Sequence, residues 1–192
     1  MKKEVTKKIP KIVQKGEPVL RETARNVPVA EITTPIIQEI IENMKIALDS
    51  QDDGVAIAAP QIGVPLRIFV VSRKAEVIMK GIEKISDAEL MKIPDTVYIN
   101  PEIIKLSRTK AILDEGCLSV RYLYGKVKRA EKITITAYDE NGKKFTKGTS
   151  GLLAQIFQHE TDHLNGILFI DKADNIVEVL PKNENSESNN TN

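Results

Sequence analysis

The chain is short of cysteine, aromatic residues and long apolar runs, it has no tryptophan, and these shortages remove whole classes of protein. One cysteine in 192 residues cannot form an internal disulfide, so a disulfide-braced secreted scaffold is excluded and a reducing compartment is expected. The lone thiol, Cys117, is then either a small buried apolar group or a candidate ligand or nucleophile. No segment approaches the roughly 20 apolar residues of a membrane span, and the basic start from Met1 to Gly16 lacks the continuous apolar stretch of a signal peptide. A cytoplasmic protein with no membrane partner is expected. Excess charge of either sign is missing too: 28 Lys and Arg stand against 27 Asp and Glu. That balance provides no global field for gripping nucleic acid and suits a small, specific substrate.

What is present is enough for one core. With 41% hydrophobic residues, the length predicts a single domain over residues 1–181. From Lys182 to Asn192 the chain has no large apolar residue and is expected to be a disordered tail.

Thr34 followed by Pro35 is a cap-and-first-turn signal, and Ile36, Ile37, Ile40, Ile41, Met44, Ala47 and Leu48 recur at helical spacing, predicting a first helix that ends near Ser50. Leu66 to Val71 reads as a strand. So do Val97 to Ile99 and Ile103 to Leu106, with Asn100-Pro101 as a breaker between them. Lys132 to Tyr138 alternates with period two, Asp139 to Gly142 supplies turn chemistry, and Lys143 to Thr146 returns as the second arm of a hairpin. Thr149 or Ser150 is the expected cap of a second helix that begins at Gly151 and stops at Asn165-Gly166. The runs Ile167 to Ile170 and Ile176 to Leu180 are apolar but of undecided type. Lys74 to Thr96 reads as a loop carrying a short helix. Two helices among antiparallel strands, without regular strand-helix alternation, predict an α+β domain.

The second helix contains His159-Glu160-Thr161-Asp162-His163. Four-residue spacing sets both imidazoles on one face, a turn apart, with Glu160 beside them. These are the only two histidines in the chain, and random placement would space them so in about one case in a hundred. Leu152 and Ile156 continue the same stripe, so the imidazoles point toward the core. Two core histidines satisfied by ordinary hydrogen bonds are the alternative; metal ligation satisfies both rings at once. A catalytic site wants a third protein ligand and one open position. Cys117, in Glu115-Gly116-Cys117-Leu118-Ser119, is the obvious supplier, while Asp114 or Glu115 would also complete the site. Glu115 is a candidate partner for the far nitrogen of one histidine, and Asp162 with Arg129 a candidate supporting pair. Leu152, Gln155 and Ile156, one or two turns before His159, either line a substrate pocket or are plain core. Gln61, after Ala-Ala-Pro, reads by itself as a turn cap.

Three stretches together resemble the peptide deformylase family: Gly54-Val-Ala-Ile-Ala-Ala-Pro-Gln61 with Ile62-Gly63, Glu115-Gly-Cys-Leu-Ser119, and Gln158-His-Glu-Thr-Asp-His163. The resemblance spans about residues 10 to 175. It implies antiparallel and mixed sheets packed around a central metal-binding helix. It also implies one divalent metal on Cys117, His159 and His163, usually iron(II), with zinc, nickel or cobalt as substitutes. Glu160 is implied as general acid/base, and Gln61 with the backbone N–H of Leu118 as holders of the oxyanion. Gly54, Val55, Ala56 and Gly116 would flank the substrate, an N-formylmethionyl nascent polypeptide that loses its formyl group as formate to metal-activated water. A monomer with at most a transient ribosome contact is expected. Three departures stand out: Ala56 replaces a common glycine, which is expected to narrow the cleft, and Arg121 and Lys128 occupy positions where many members carry proline. Two other functions use the same motif. A zinc endopeptidase would need a third ligand further along the chain, where no histidine occurs; a non-catalytic metal domain that binds a partner would have little use for Glu160 and Gln61.

Overall fold

A strand whose side chains are all apolar must be covered on both faces, and Ile68-Phe69-Val70-Val71 is such a strand. The computed structural model describes residues 9–181 and sets that run between two helices. The expected tail from Lys182 onward and the first eight residues lie outside the described residues. In chain order the elements are α1 (Pro35–Asp49), β1 (Ala56–Ala58), β2 (Ile68–Val71), α2 (Arg73–Met79), α3 (Asp87–Leu90), β3 (Thr96–Leu106), β4 (Lys110–Gly116), β5 (Leu123–Ala130), β6 (Lys132–Tyr138), β7 (Lys144–Ser150), α4 (Gly151–Leu164) and β8 (Asp174–Glu178). Five strands form an antiparallel sheet in the order β1-β2-β3-β6-β7, and three form a second in the order β4-β5-β8. The fold is α+β, with α4 packed against the larger sheet and touching β5 of the smaller.

Alternation along the strands sorts the core into two layers. Ile57, Ile68, Val70, Val97 and Ile99 face α1 and meet Ile37, Ile41, Met44, Ala47 and Leu48. Ala56, Ala58, Phe69, Val71, Tyr98 and Ile135 face the other way and meet Leu153, Ala154, Ile156, Phe157 and Leu164 of α4. Phe69 and Tyr98 stack with centroids 4.7 Å apart, and Phe157 of α4 meets Tyr98 edge-on at 4.7 Å. Each such buried side chain contributes about 1.5–3 kcal/mol, so the helix that carries both histidines is fixed by packing along its length. A third cluster, Leu20, Val120, Val127, Leu168 and Phe169, closes the smaller sheet.

Several sequence expectations need correction. Asn100-Pro101 does not break the chain into two strands: β3 runs through it by irregular register, with Asn100 at φ 49. The Asn100 N–H still donates to Arg67 O at 2.8 Å, and its side chain ties β3 to the backbone of Val27, accepting from Val27 N at 2.8 Å and donating to Val27 O at 2.7 Å. Pro101, without an N–H, falls at the irregularity in the register. β4 and β5 were not anticipated. In β5 Gly125, Val127 and Arg129 point inward, and a charged residue at a core position hides the period-two pattern from any hydrophobicity reading. The hairpin return is longer than predicted, through Ser150. Neither predicted cap forms by side chain: the Thr34 hydroxyl donates instead to Glu31 O at 2.7 Å, and Ser150, still paired to Lys132 as strand, makes no cap bond. The stretch from Lys74 to Thr96 carries most of α2 and all of α3, and the two late apolar runs hold a 3-10 turn, Phe169–Asp171, and most of β8.

The predicted stop of α4 holds at Gly166, with φ 73. A Cβ there would lie 2.6 Å from the Arg21 carbonyl oxygen. Gly166→Ala therefore combines a left-handed conformation with a backbone clash and is expected to cost about 2–4 kcal/mol. Thermal unfolding should show the midpoint fall by about 5–10 °C; an unchanged midpoint would mean that the turn relaxes without penalty.

Candidate active site

Three elements converge on one cavity. α4 presents Leu152, Gln155, Ile156, His159 and Glu160 to it, because positions three and four apart share a helix face. β4 ends at Gly116 and delivers Cys117, and the stretch entering β1 supplies Gly54, Val55 and Ala56 as the facing wall. Gly116 is required by contact: a Cβ would lie 2.8 Å from the ring of Tyr124.

Helical spacing brings the two imidazoles to a centroid separation of 5.0 Å. The ligand atoms of Cys117, His159 and His163 all lie within 4.8 Å of one another, with Cys117 Sγ 3.2 Å from His163 Nε2. His159 Nδ1 pairs with Glu115 Oε2 at 2.9 Å, which leaves its Nε2 for a ligand and fixes the ring's orientation. One thiolate and two imidazoles suit a first-row divalent cation, which Cys117, His159 and His163 would hold. The metal-free charge distribution favours the same set. Burial pushes the Cys117 thiol up, but the positive charge of His163 and hydrogen bonds from both imidazoles outweigh it and bring the pKa down to about 5.

The alternative third ligands are otherwise occupied. Asp114 has its side chain 82% exposed and pairs with Lys126 at 3.0 Å. Glu115 is buried, and burial opposes its charge, yet bonds from Arg129 and His159 lower its pKa to about 2. Arg129 Nε and Nη2 donate to the two Glu115 oxygens at 2.7 and 2.9 Å, and its Nη1 donates to Asp162 Oδ2 at 2.6 Å. Asp162 thus turns inward with Arg129 and also accepts from Lys172 Nζ at 2.6 and 2.7 Å. The result is a chain of alternating charge that starts at exposed Lys172, is buried from Asp162 through Arg129 and Glu115, and ends on His159. Lys172 is the member that no sequence pattern indicated.

Gln61 is buried in the 3-10 turn Ala59–Ile62. Its Oε1 accepts from Ala58 N at 2.8 Å, so Nε2 is aimed at the cysteine loop, 3.6 Å from Cys117 Sγ and 3.2 Å from Ser119 Oγ. The turn-cap reading is therefore correct for the oxygen, and the nitrogen is what reaches the site. Leu118 follows Cys117, lines the cavity, and buries its side chain in the α1 layer. Glu160 is buried beside both imidazoles, and its Oε2 has no hydrogen-bond partner among the described residues. Burial raises its pKa to about 7, against the pull of His159 and His163.

The cavity has a volume of about 360 Å³. All seven predicted substrate contacts, Gly54, Val55, Ala56, Gly116, Leu152, Gln155 and Ile156, lie on its wall, as do Cys117, Leu118, His159 and Glu160. Gln61 and His163 do not; each reaches the site through the cysteine sulfur. Gln155 also ties α4 to β4 by donating to Asp114 O at 2.9 Å. Lys128 points to solvent from β5, whereas Arg121 lines the cavity. Sequence reasoning missed Asp53, Tyr122 and Tyr124 on the same wall, since they lie in no periodic pattern that marks them.

The chain is similar to known proteins over nearly all of its described length. The polypeptide deformylase family matches residues 9–178. Peptide deformylase 1A, chloroplastic/mitochondrial, of Arabidopsis thaliana is 43% identical over 165 residues, covering 85% of this chain and 61% of that protein. The peptide deformylase of Carboxydothermus hydrogenoformans is 42% identical over 167 residues, covering 87% of this chain and 95% of that one. Among solved structures, a peptide deformylase from Synechococcus elongatus in complex with actinonin superposes with a TM-score of 0.72 at 32% identity, covering 91% of this chain and 84% of that chain. No helix among the described residues is long and apolar enough to cross a membrane. With three donors converging on a lined cavity and a match that runs through nearly all the described residues, the chain belongs to the polypeptide deformylase family.

Proposed function

We propose that this chain hydrolyses the formamide of N-terminal formylmethionine on new polypeptides, releasing formate. The observation that carries the reading is Glu160: a buried carboxylate with an unpartnered oxygen on the cavity wall, directly beside three convergent metal donors. A buried polar atom without a partner asks for one from outside the chain, and attacking water fits that place.

Cys117, His159 and His163 are assigned to hold the cation, iron(II) by family resemblance, although the donor set accommodates zinc, nickel and cobalt as well. A divalent cation there would supply Lewis acidity and lower the pKa of the attacking water. Glu160 Oε2 takes a proton from that water as the oxygen–carbon bond forms, and passes it to the methionine nitrogen as the carbon–nitrogen bond breaks. Gln61 Nε2 and the Leu118 N–H donate to the carbonyl oxygen as it gains negative charge. Glu115 fixes the tautomer of His159, and Arg129 with Asp162 holds Glu115 in place. Leu152 and Ile156 offer an apolar wall suited to a methionine side chain.

The deciding experiment is formate release from a formyl-Met tripeptide by anaerobically purified, iron-reconstituted protein, beside an unformylated peptide. Formate in step with loss of the formyl mass, and no cleavage of the control, is the expected result. Cleavage of internal bonds in the unformylated peptide would instead indicate a peptidase.

A further inference from the structure

Among the described residues that line the cavity, Arg121 is the only lysine or arginine, whereas four carboxylates line it: Asp53, Asp114, Glu115 and Glu160. The last two are buried, Glu115 against Arg129 and Glu160 beside the imidazoles. Charge at the rim is therefore set by Asp53, Asp114 and Arg121, and Asp114 is already paired with Lys126. Arg121 reaches from the segment after Cys117 to the facing wall. Its Nη1 donates to Asp53 Oδ2 at 2.7 Å, and its Nη2 to Asp53 Oδ1 at 3.2 Å and to Gln51 Oε1 at 2.6 Å. Both side chains remain accessible, Arg121 at 26% and Asp53 at 61%.

We infer that Arg121 is a specificity-determining residue: clasped to Asp53 across the rim, it cancels the charge met by the residues that follow methionine, so that acidic and basic peptides are admitted alike. The inference rests on the deformylase reading given above. A cavity of about 360 Å³ holds one capped residue and not a polypeptide, so the following residues leave past this rim. A proline at position 121 has no cation to offer, and Asp53 would then lose its paired charge and keep only the weaker influence of Lys74. Loss of either partner should bias selection, and the two losses should do so in opposite directions.

The experiment compares kcat/KM for formyl-Met-Glu-Ser, formyl-Met-Lys-Ser and the neutral formyl-Met-Ala-Ser in metal-loaded wild type, Arg121→Gln, Asp53→Asn and the double variant. The wild-type Glu-to-Lys ratio should lie near one. Arg121→Gln should lower the ratio about fivefold and Asp53→Asn should raise it about fivefold, the size expected of one part-exposed charge. The double variant should return it toward wild type, the change should appear in KM, and 0.5 M NaCl should shrink it. Turnover with the same ratio in both single variants, or shifts in the same direction, overturns the role of Arg121. Failure of wild type to release formate from the neutral peptide overturns the deformylase reading itself, and this inference with it.

Discussion

Glu160→Gln is expected to bind metal at wild-type stoichiometry and to lose turnover by about two to four orders of magnitude. The substitution keeps the shape and hydrogen-bonding reach of the side chain, and Glu160 is not one of the three converging donors, so the cation should remain. What disappears is the ability of Oε2 to accept a proton. The carboxyl is suited to proton transfer, because burial lifts it to about 7 in the metal-free protein, with the two imidazoles opposing the rise. A base near neutrality both takes and returns a proton readily. A cation alongside would draw it lower again. Metal analysis and formate release on the same preparation separate the two effects. Near-normal turnover in a fully metallated variant would remove Glu160 from the chemistry.

Cys117→Ala should fail at the earlier stage. The sulfur touches His163 Nε2 at 3.2 Å and is approached by Ser119 N at 3.4 Å and Gln61 Nε2 at 3.6 Å, so it is the point at which the cysteine loop, α4 and the Gln61 turn meet. Truncation leaves two imidazoles, and neither Glu115, committed to Arg129 and His159, nor exposed Asp114 is placed to substitute. Metal affinity should fall by more than about a hundredfold, and dialysed protein should retain almost none. A full equivalent of metal after dialysis would show that another residue is the third ligand. Because the Cys117 side chain also packs against the cluster of Val120, Val127 and Phe169, unfolding should be followed in parallel. Retained cooperative melting with lost metal is the expected pattern.

How much of this was legible beforehand depends on distance along the chain. The α4 helix, its stop at Gly166, the pairing of His159 with His163 on one face and the β6–β7 hairpin all follow from periods of 3.6 and 2 over a dozen residues, so local sequence determined them. So did the narrow choice of metal donors in a chain with two histidines and one cysteine. Which of Cys117, Asp114 and Glu115 is left to complete the donor set was decided only by tertiary contacts: the pairing of β4 with β5 sets Asp114 opposite Lys126 and puts Glu115 and Arg129 on the same inward face, where Glu115 is taken up by Arg129 and His159. Lys172 on Asp162 and Arg121 on Asp53 are likewise tertiary facts. A charge has no periodic signature that names its partner, and inward-facing Arg129 even disguises the strand that carries it. Sequence alone thus determined the elements and the chemical inventory of the site. Tertiary structure decided which charges neutralise one another and which atoms are left over, because those depend on contacts between segments far apart in the chain.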